Sequence, residues 1–179
     1  MSHKTEIVFF NASQLTEPRL LEDTKHFLIN FGLPSNCAPF IGFENFNNPA
    51  IPTPNQVFNI DIKELDEYLM IGGNGAGDPI CIDLNLNNEI VYLNHDNSFE
   101  RVFMNSSISQ FSECQLLYKK FIESLNPQFI DKKLLRRKFT DSEFANVKKK
   151  FEETDWKCMS ENAWWASELD YLLWERDNE

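Results

Sequence analysis

Short strand-like runs follow one another closely in the middle of this chain, and their spacing constrains the fold more than any other feature. The runs are mostly apolar, with β-branched and aromatic residues, and they cover residues 65–71, 80–84, 89–93 and 101–104. Parallel strands need a long crossover, and these connections are too short to provide one. The sequence therefore predicts antiparallel neighbours. The asparagine-rich residues 85–88 predict a hairpin, because asparagine tolerates left-handed turn conformations.

Helical periodicity flanks this series of strands on both sides. Before it, residues 20–31 carry one apolar stripe, with Ser13 or Thr16 as candidate caps, Pro18 in the first turn and Gly32 at the end. After it, Ser107 and Gln110 predict a capping box at the start of another helix. The predicted helices after the strands cover residues 108–125, 131–138, 141–153 and 160–176. This order predicts an α+β fold with a central antiparallel sheet, on which the N-terminal helix and the C-terminal helices pack.

The chain shows no clear domain boundary, repeat or low-complexity tract, so 179 residues predict a single domain over 1–179. Residues 34–56 contain five prolines among apolar residues, which predicts an irregular but packed connection of a kind that is often functional. Residues 127–179 form the predicted C-terminal helical part.

Charge and composition exclude several classes of function. The net charge is −11, the opposite of what a nucleic-acid-binding protein usually carries. The charge is also uneven, because the segment from Lys119 to Lys150 carries +6 and the rest carries −17. This polarity fits a role in binding a partner, and equally the solubility of an ordinary acidic protein. Without an apolar stretch of membrane-span or signal-peptide length, we expect a cytoplasmic protein.

The candidate motifs for chemistry are weak. The glycine-rich loop from Gly72 to Gly77 precedes a strand, whereas a phosphate-binding loop opens a helix, so a simple turn is favoured. Ser106 and Ser107 lack the frame of a nucleophile elbow and fit helix capping. His95 beside Asp96 fits a turn. The four cysteines are widely spaced, with no nearby histidine cluster, which predicts reduced thiols instead of a zinc site. We expect no catalytic residue, metal or cofactor.

Four carboxylates stand close together before the first long strand, at Asp61, Glu64, Asp66 and Glu67. Such a group is usually a solvated acidic face. It could also meet a basic partner, where complementary charge would speed association.

Several segments together resemble the SUKH superfamily, which includes bacterial immunity proteins, the Syd protein and yeast cell-wall regulators. The similarity is greatest to its fourth immunity subgroup and extends over most of residues 24–175. The resembling segments are FLINFGLP at 27–34, YLMIG at 68–72 with DPICID at 78–83, EIVYL at 89–93, FMNSS at 103–107 and WWASEL at 164–169. Members of that subgroup usually have an acidic residue in the turn between the first two long strands. This chain has the longer loop from Gly72 to Gly77 at that place.

The resemblance implies an α+β immunity protein that binds and neutralises a cognate toxin, often a nuclease or deaminase, without catalytic residues of its own. We expect its acidic surface to block the basic cleft of the toxin, with aromatic anchors at the centre of the contact. The candidate contacts are Asp61, Glu64, Asp66, Glu67, Asn74, Asp78 and Asp96.

Three alternatives stay open at this point. The chain could be a cellular regulatory scaffold of the same superfamily, or a nucleotide-binding enzyme that uses the loop from Gly72 to Gly77. The basic segment from Lys119 to Lys150 could contact an acidic partner or nucleic acid.

Overall fold

A five-stranded antiparallel sheet forms the centre of the protein, in the order β3-β4-β5-β6-β7, and a two-stranded ribbon, β1-β2, lies beside it. The computed structural model describes residues 6–125 and 139–178. The strands are β1 (Ile7–Val8), β2 (Leu33–Pro34), β3 (Ile41–Phe43), β4 (Tyr68–Asn74), β5 (Pro79–Asp83), β6 (Glu89–Asn94) and β7 (Glu100–Asn105). The helices within these residues are α1 (Glu22–Asn30), α2 (Pro54–Phe58), α3 (Ile108–Leu125), α4 (Asp141–Thr154) and α5 (Trp164–Asn178). The predicted α+β class with a central antiparallel sheet is confirmed.

The central strand β5 is buried along its whole length because both faces of the sheet are covered. Ile82 pairs with Ile90 and contributes to the larger core, whereas Cys81 pairs with Val91 and contributes to a smaller one. This alternation is the period of two that a strand requires.

The larger core lies between the sheet and the helices. α3 and α5 both pack against β7, and α4 packs on α3. Trp165 is fully buried at the centre, with its ring 5.0 Å from the Phe151 ring and 5.7 Å from the Tyr118 ring between centroids. Trp165 thus joins the C-terminal helix to α3 and α4 within the core.

The opposite face of the sheet is covered by the long connection before β4. Leu65 is buried there against Met70, Cys81 and Val91, and Phe46 and Ile60 pack around this cluster. The predicted packed connection at 34–56 also contains a short edge strand, β3, whose Ile41 and Phe43 are buried. The connection therefore adds an edge strand to the sheet and also covers one of its faces.

Three boundaries differ from the sequence predictions. The first long strand begins at Tyr68 instead of residue 65, because residues Lys63–Glu67 form a 3-10 turn that buries Leu65. α1 begins at Glu22 with no side-chain cap, so the predicted caps Ser13 and Thr16 and the place of Pro18 in its first turn were wrong. α5 begins at Trp164, four positions after the predicted residue 160.

Other local predictions are confirmed. Gly32 has a φ of +66° and its N–H donates to the Phe27 carbonyl, as a glycine that ends a helix does. The predicted helices at 108–125 and 141–153 correspond to α3 and α4. The predicted helix at 131–138 lies outside the described residues.

A buried polar network joins the end of β7 to the C-terminal helices. The Asp155 carboxylate accepts hydrogen bonds from Asn105 Nδ2 at 3.1 Å, the Ser106 backbone N–H at 2.7 Å and Ser106 Oγ at 3.0 Å. Asn105 Oδ1 accepts in turn from the Trp165 indole N–H at 2.8 Å. Because buried polar groups must be paired, this network specifies how α5 docks on the sheet.

Candidate functional site

The seven candidate contact residues fall at the two ends of β4. Asp61, Glu64, Asp66 and Glu67 precede its first residue, while Asn74 and Asp78 lie at and after its last. Seven strand residues separate these ends by about 20 Å. Asp96 joins the second group, because it follows β6 on the side where β6 pairs with the start of β5. The structure therefore brings Asn74, Asp78 and Asp96 together and keeps the four acids apart from them.

The first group consists of the acids around the 3-10 turn, and two of them already have structural partners. Asp66 Oδ1 accepts from Asn55 Nδ2 at 2.9 Å, which ties the turn to α2. Glu67 forms an ion pair with Arg19. Asp61 and Glu64 make no hydrogen bond or ion pair with another residue of the described chain. Of this group, they are the acids that a partner could engage without breaking a contact among residues 6–125 and 139–178.

The second group is built around the β4–β5 turn. Asn74 Oδ1 accepts from the backbone N–H groups of Ala76 at 3.0 Å and Asp78 at 2.9 Å, and Asn74 Nδ2 donates to Asp78 Oδ2 at 2.8 Å. Gly77 has a φ of +94°, which favours glycine at this position. Gly72 belongs to β4 and lies in the sheet, not in the turn. β5 follows directly, so the loop presents no helix N-terminus to a phosphate.

Asp78 also holds His95, a contact that the sequence did not reveal. Asp78 Oδ1 accepts from the His95 backbone N–H at 3.0 Å and lies 2.7 Å from His95 Nδ1, while Asp96 Oδ1 lies 3.3 Å from Nε2. The hydrogen bond to Asp78 raises the pKa of His95, and the charges of Asp96 and Asp78 add to this effect. Burial opposes ionisation of Asp78, but hydrogen bonds from Asn74 and His95 outweigh it and lower the pKa of Asp78. His95 is therefore a turn-stabilising residue whose ring nitrogens both face carboxylates.

A comparison with protein-family models matches residues 3–171 to the SUKH-4 immunity protein family. The chain belongs to the SUKH-4 immunity protein family. A search of the curated proteins and a search of the solved structures each found no match. The predicted resemblance is thereby confirmed. Membership of an immunity protein family implies a cognate toxin as the partner, and proteins of this kind generally act without catalysis.

Ser106 and Ser107 of this SUKH-4 protein have structural roles. Ser106 Oγ donates to Asp155, and Ser107 Oγ accepts from the Gln110 backbone N–H at 3.3 Å at the start of α3. The N-cap hydrogen bond predicted for Ser107 is confirmed. The reciprocal half of the predicted capping box is absent from the described residues, because Gln110 Oε1 accepts from Ser107 Oγ at 2.7 Å, and Ser106 bonds to Asp155 instead of capping the helix. Within residues 6–125 and 139–178, no three metal-ligating side chains cluster together. The helices of that same part of the chain include none with the length and apolar character needed to span a membrane.

Sequence reasoning missed one residue at the β4–β5 end of the SUKH-4 fold. Phe40 was grouped with the apolar residues of a packed connection, and its neighbours Ile41 and Phe43 are indeed buried. The Phe40 side chain, however, is 83% exposed. Phe40 precedes β3 in a turn with a left-handed backbone, and neither that conformation nor its exposure could be read from the apolar run 40–43.

Proposed function

We propose that this SUKH-4 protein neutralises a cognate toxin by binding it stoichiometrically and covering its active cleft. The match of the family model to residues 3–171 carries this proposal, because it extends over nearly the whole chain. Inhibition by occlusion requires a stable complementary surface and no catalytic group. The proposed site of action is the cytoplasm, and four cysteines without a disulfide accord with that reducing compartment.

The arrangement of the polar side chains supports binding in preference to catalysis. Two of the side chains considered for acid–base or nucleophilic chemistry are His95 and Ser106. Both ring nitrogens of His95 face carboxylates, and Ser106 Oγ donates to Asp155, so neither group activates the other. These side chains hold turns and helix ends in place, which is what a rigid binding protein requires.

Charge supports a basic target such as a nuclease or deaminase. The chain carries a net charge of −11. Asp61, just before the 3-10 turn, and Glu64, within it, are exposed and form no ion pair with the described residues. A toxin that acts on nucleic acid has a basic cleft, and an acidic protein would be steered towards it at rates that fall with rising salt.

Co-expression with the toxin encoded by the neighbouring gene tests the proposal. Cells that express the toxin alone should stop growing, and cells that also express this protein should grow. The two proteins should elute together as a stoichiometric complex, and the purified protein should inhibit the toxin's activity at equimolar concentration. Absence of both the complex and protection would contradict the proposed function.

Charge reversal then tests the role of the acidic turn. The double variant Asp61→Lys/Glu64→Lys should associate with the toxin about tenfold more slowly at low salt, because rim charges act mainly on the association rate. The matched control is Glu113→Lys/Glu152→Lys, which makes the same charge change at exposed positions on α3 and α4. Equal association rates for the two double variants would show that the acidic turn does not face the toxin.

A further inference from the structure

Phe40 combines two features that are each unfavourable for an isolated chain. Its side chain is 83% exposed, and its backbone has a φ of +59°, in the left-handed region that bulky L-residues rarely adopt. The surrounding turn is well formed, since the Cys37 N–H donates to the Ile41 carbonyl at 2.8 Å and the Ile41 N–H donates to the Cys37 carbonyl at 3.0 Å. A closed turn with a buried neighbour therefore projects the Phe40 ring into solvent. Strain held in this way by ordered structure is commonly found at functional sites.

The β4–β5 turn lies directly beside Phe40. A Cβ added to Gly75 would lie 3.3 Å from the Phe40 Cβ. Because Gly75 has no side chain, its backbone lies exposed next to the Phe40 side chain. Gly75, Ala76 and Gly77 are all exposed. Together with Phe40 they form a surface with one large ring and almost no other side chains, which another protein's backbone could approach closely.

His95 and Asp96 continue this surface on its other side. A Cβ added to Gly77 would lie 3.8 Å from His95 Cε1, and the His95 ring is partly exposed. Asp96 has 86% of its side chain exposed and contributes a negative charge at the rim. We call Phe40, residues 75–77, His95 and Asp96 the tip surface.

We propose that the tip surface is the main contact with the cognate toxin, an inference that rests on the proposed function. Phe40 would fill an apolar pocket on the toxin, and Asp96 would face a lysine or arginine beside that pocket. Aromatic residues that insert into desolvated pockets supply most of the binding energy in many interfaces, while charges at the rim accelerate the encounter. The partner is therefore a protein surface with an apolar pocket bordered by basic side chains.

Alanine substitution at Phe40 tests this contact with a matched control. The control is Trp156→Ala, since Trp156 is another largely exposed aromatic residue, at 71%, but lies in the turn after α4 and outside the tip surface. Binding to the toxin of the neighbouring gene is measured by biolayer interferometry with the full-length chain. Phe40→Ala should weaken binding about 30-fold or more, mainly through faster dissociation, and Trp156→Ala should change it by less than about threefold.

A glycine substitution separates a binding role from a structural one. Phe40→Gly removes the ring and also relieves the left-handed backbone, so the variant should melt at the same or a higher temperature while it loses as much affinity as Phe40→Ala. Asp96→Lys should slow association and reduce its dependence on salt.

The possible outcomes distinguish the tip surface from the proposed function. If the wild-type chain protects cells and binds the toxin, but Phe40→Ala and Phe40→Gly bind within about threefold of it, the tip surface is wrong and the immunity role stands. If the wild-type chain neither binds nor protects, the proposed function fails and this inference fails with it. Loss of affinity in both Phe40 variants with melting temperatures maintained supports the tip surface.

Discussion

The buried carboxylate of Asp155 should be one of the most sensitive polar positions in this protein. It is 4% exposed and accepts three hydrogen bonds, two from Ser106 and one from Asn105. Asn105 in turn accepts from the indole of Trp165, which lies at the centre of the larger core. Replacing Asp155 with alanine would therefore loosen the junction between β7 and the C-terminal helices.

The size of the effect follows from these contacts. A hydrogen bond to an ionised acceptor contributes about 1.5–3 kcal/mol, but the three bonds share one carboxylate and are not additive. Alanine would remove the Asp155 acceptor from the part-buried Ser106 backbone N–H and from the buried Asn105 amide, and each buried donor left unsatisfied costs about 1–3 kcal/mol. The free energy of unfolding of an ordinary domain is about 5–15 kcal/mol, so Asp155→Ala should remove a large fraction of this stability.

Urea unfolding followed by tryptophan fluorescence and circular dichroism measures this loss. Ser106→Ala, which removes one of the three bonds, should cost about 1 kcal/mol. The exposed Asp170 supplies the control, since Asp170→Ala should stay within about 0.5 kcal/mol of wild type. If Asp155→Ala does not fold, Asp155→Asn should fold and show an intermediate loss. A loss below about 1 kcal/mol for Asp155→Ala would refute the structural role assigned to this carboxylate.

Two further predictions concern the sheet and its turns. The folded state raises the pKa of His95 above 6.5 and lowers that of Asp78 below 3.8. Their pairing should therefore contribute its full stability between pH 3.8 and pH 6.5, and this contribution should be lost as the pH rises and His95 loses its proton. The stability advantage of wild type over His95→Gln should therefore decline as the pH rises from about 5.5 to 8.5, and equal urea midpoint differences at the two pH values would contradict the pairing. In β4, a Cβ on Gly72 would lie 2.1 Å from the Gly42 carbonyl oxygen, so Gly72→Ala should displace β3 and cost about 2–4 kcal/mol. The control Gly75→Ala, at an exposed position, should cost less than about 1 kcal/mol in the same assay, and similar losses in the two variants would show that β3 does not approach β4 as described.

Local patterns predicted the elements whose residues carry a clear period or a strong turn signal. The hairpin between β5 and β6 was predictable because residues 85–88 are mostly asparagine, and Asn87 and Asn88 do adopt positive φ. α4 was predicted at residues 141–153, and the structure shows Thr140 and Glu143 forming a capping box at its start. Such signals act between residues that are close in sequence, so one sequence is enough to read them.

The same reasoning failed where a distant contact overrides the local preference. Residue 65 looked like part of a strand because it is apolar and precedes an apolar run. In the structure Leu65 instead turns into the small core against Cys81 and Val91, and the strand starts three residues later. α1 has no local side-chain cap, and its start is held by a distant residue, since Asn88 Oδ1 of the β5–β6 hairpin accepts from the Leu21 N–H at 2.7 Å.

By itself, the sequence determined the class of fold, the antiparallel order of the central strands and the membership of an immunity family, because these depend on short-range periodicity and on motifs in a set order. Only the tertiary structure decided which polar residues are already engaged. Asp66 and Asp78 look like surface acids in the sequence, but the fold pairs them with Asn55 and His95. The register of the sheet likewise places Phe40 beside the β4–β5 turn with its ring in solvent. Exposure depends on what the rest of the chain covers, so no local pattern records it.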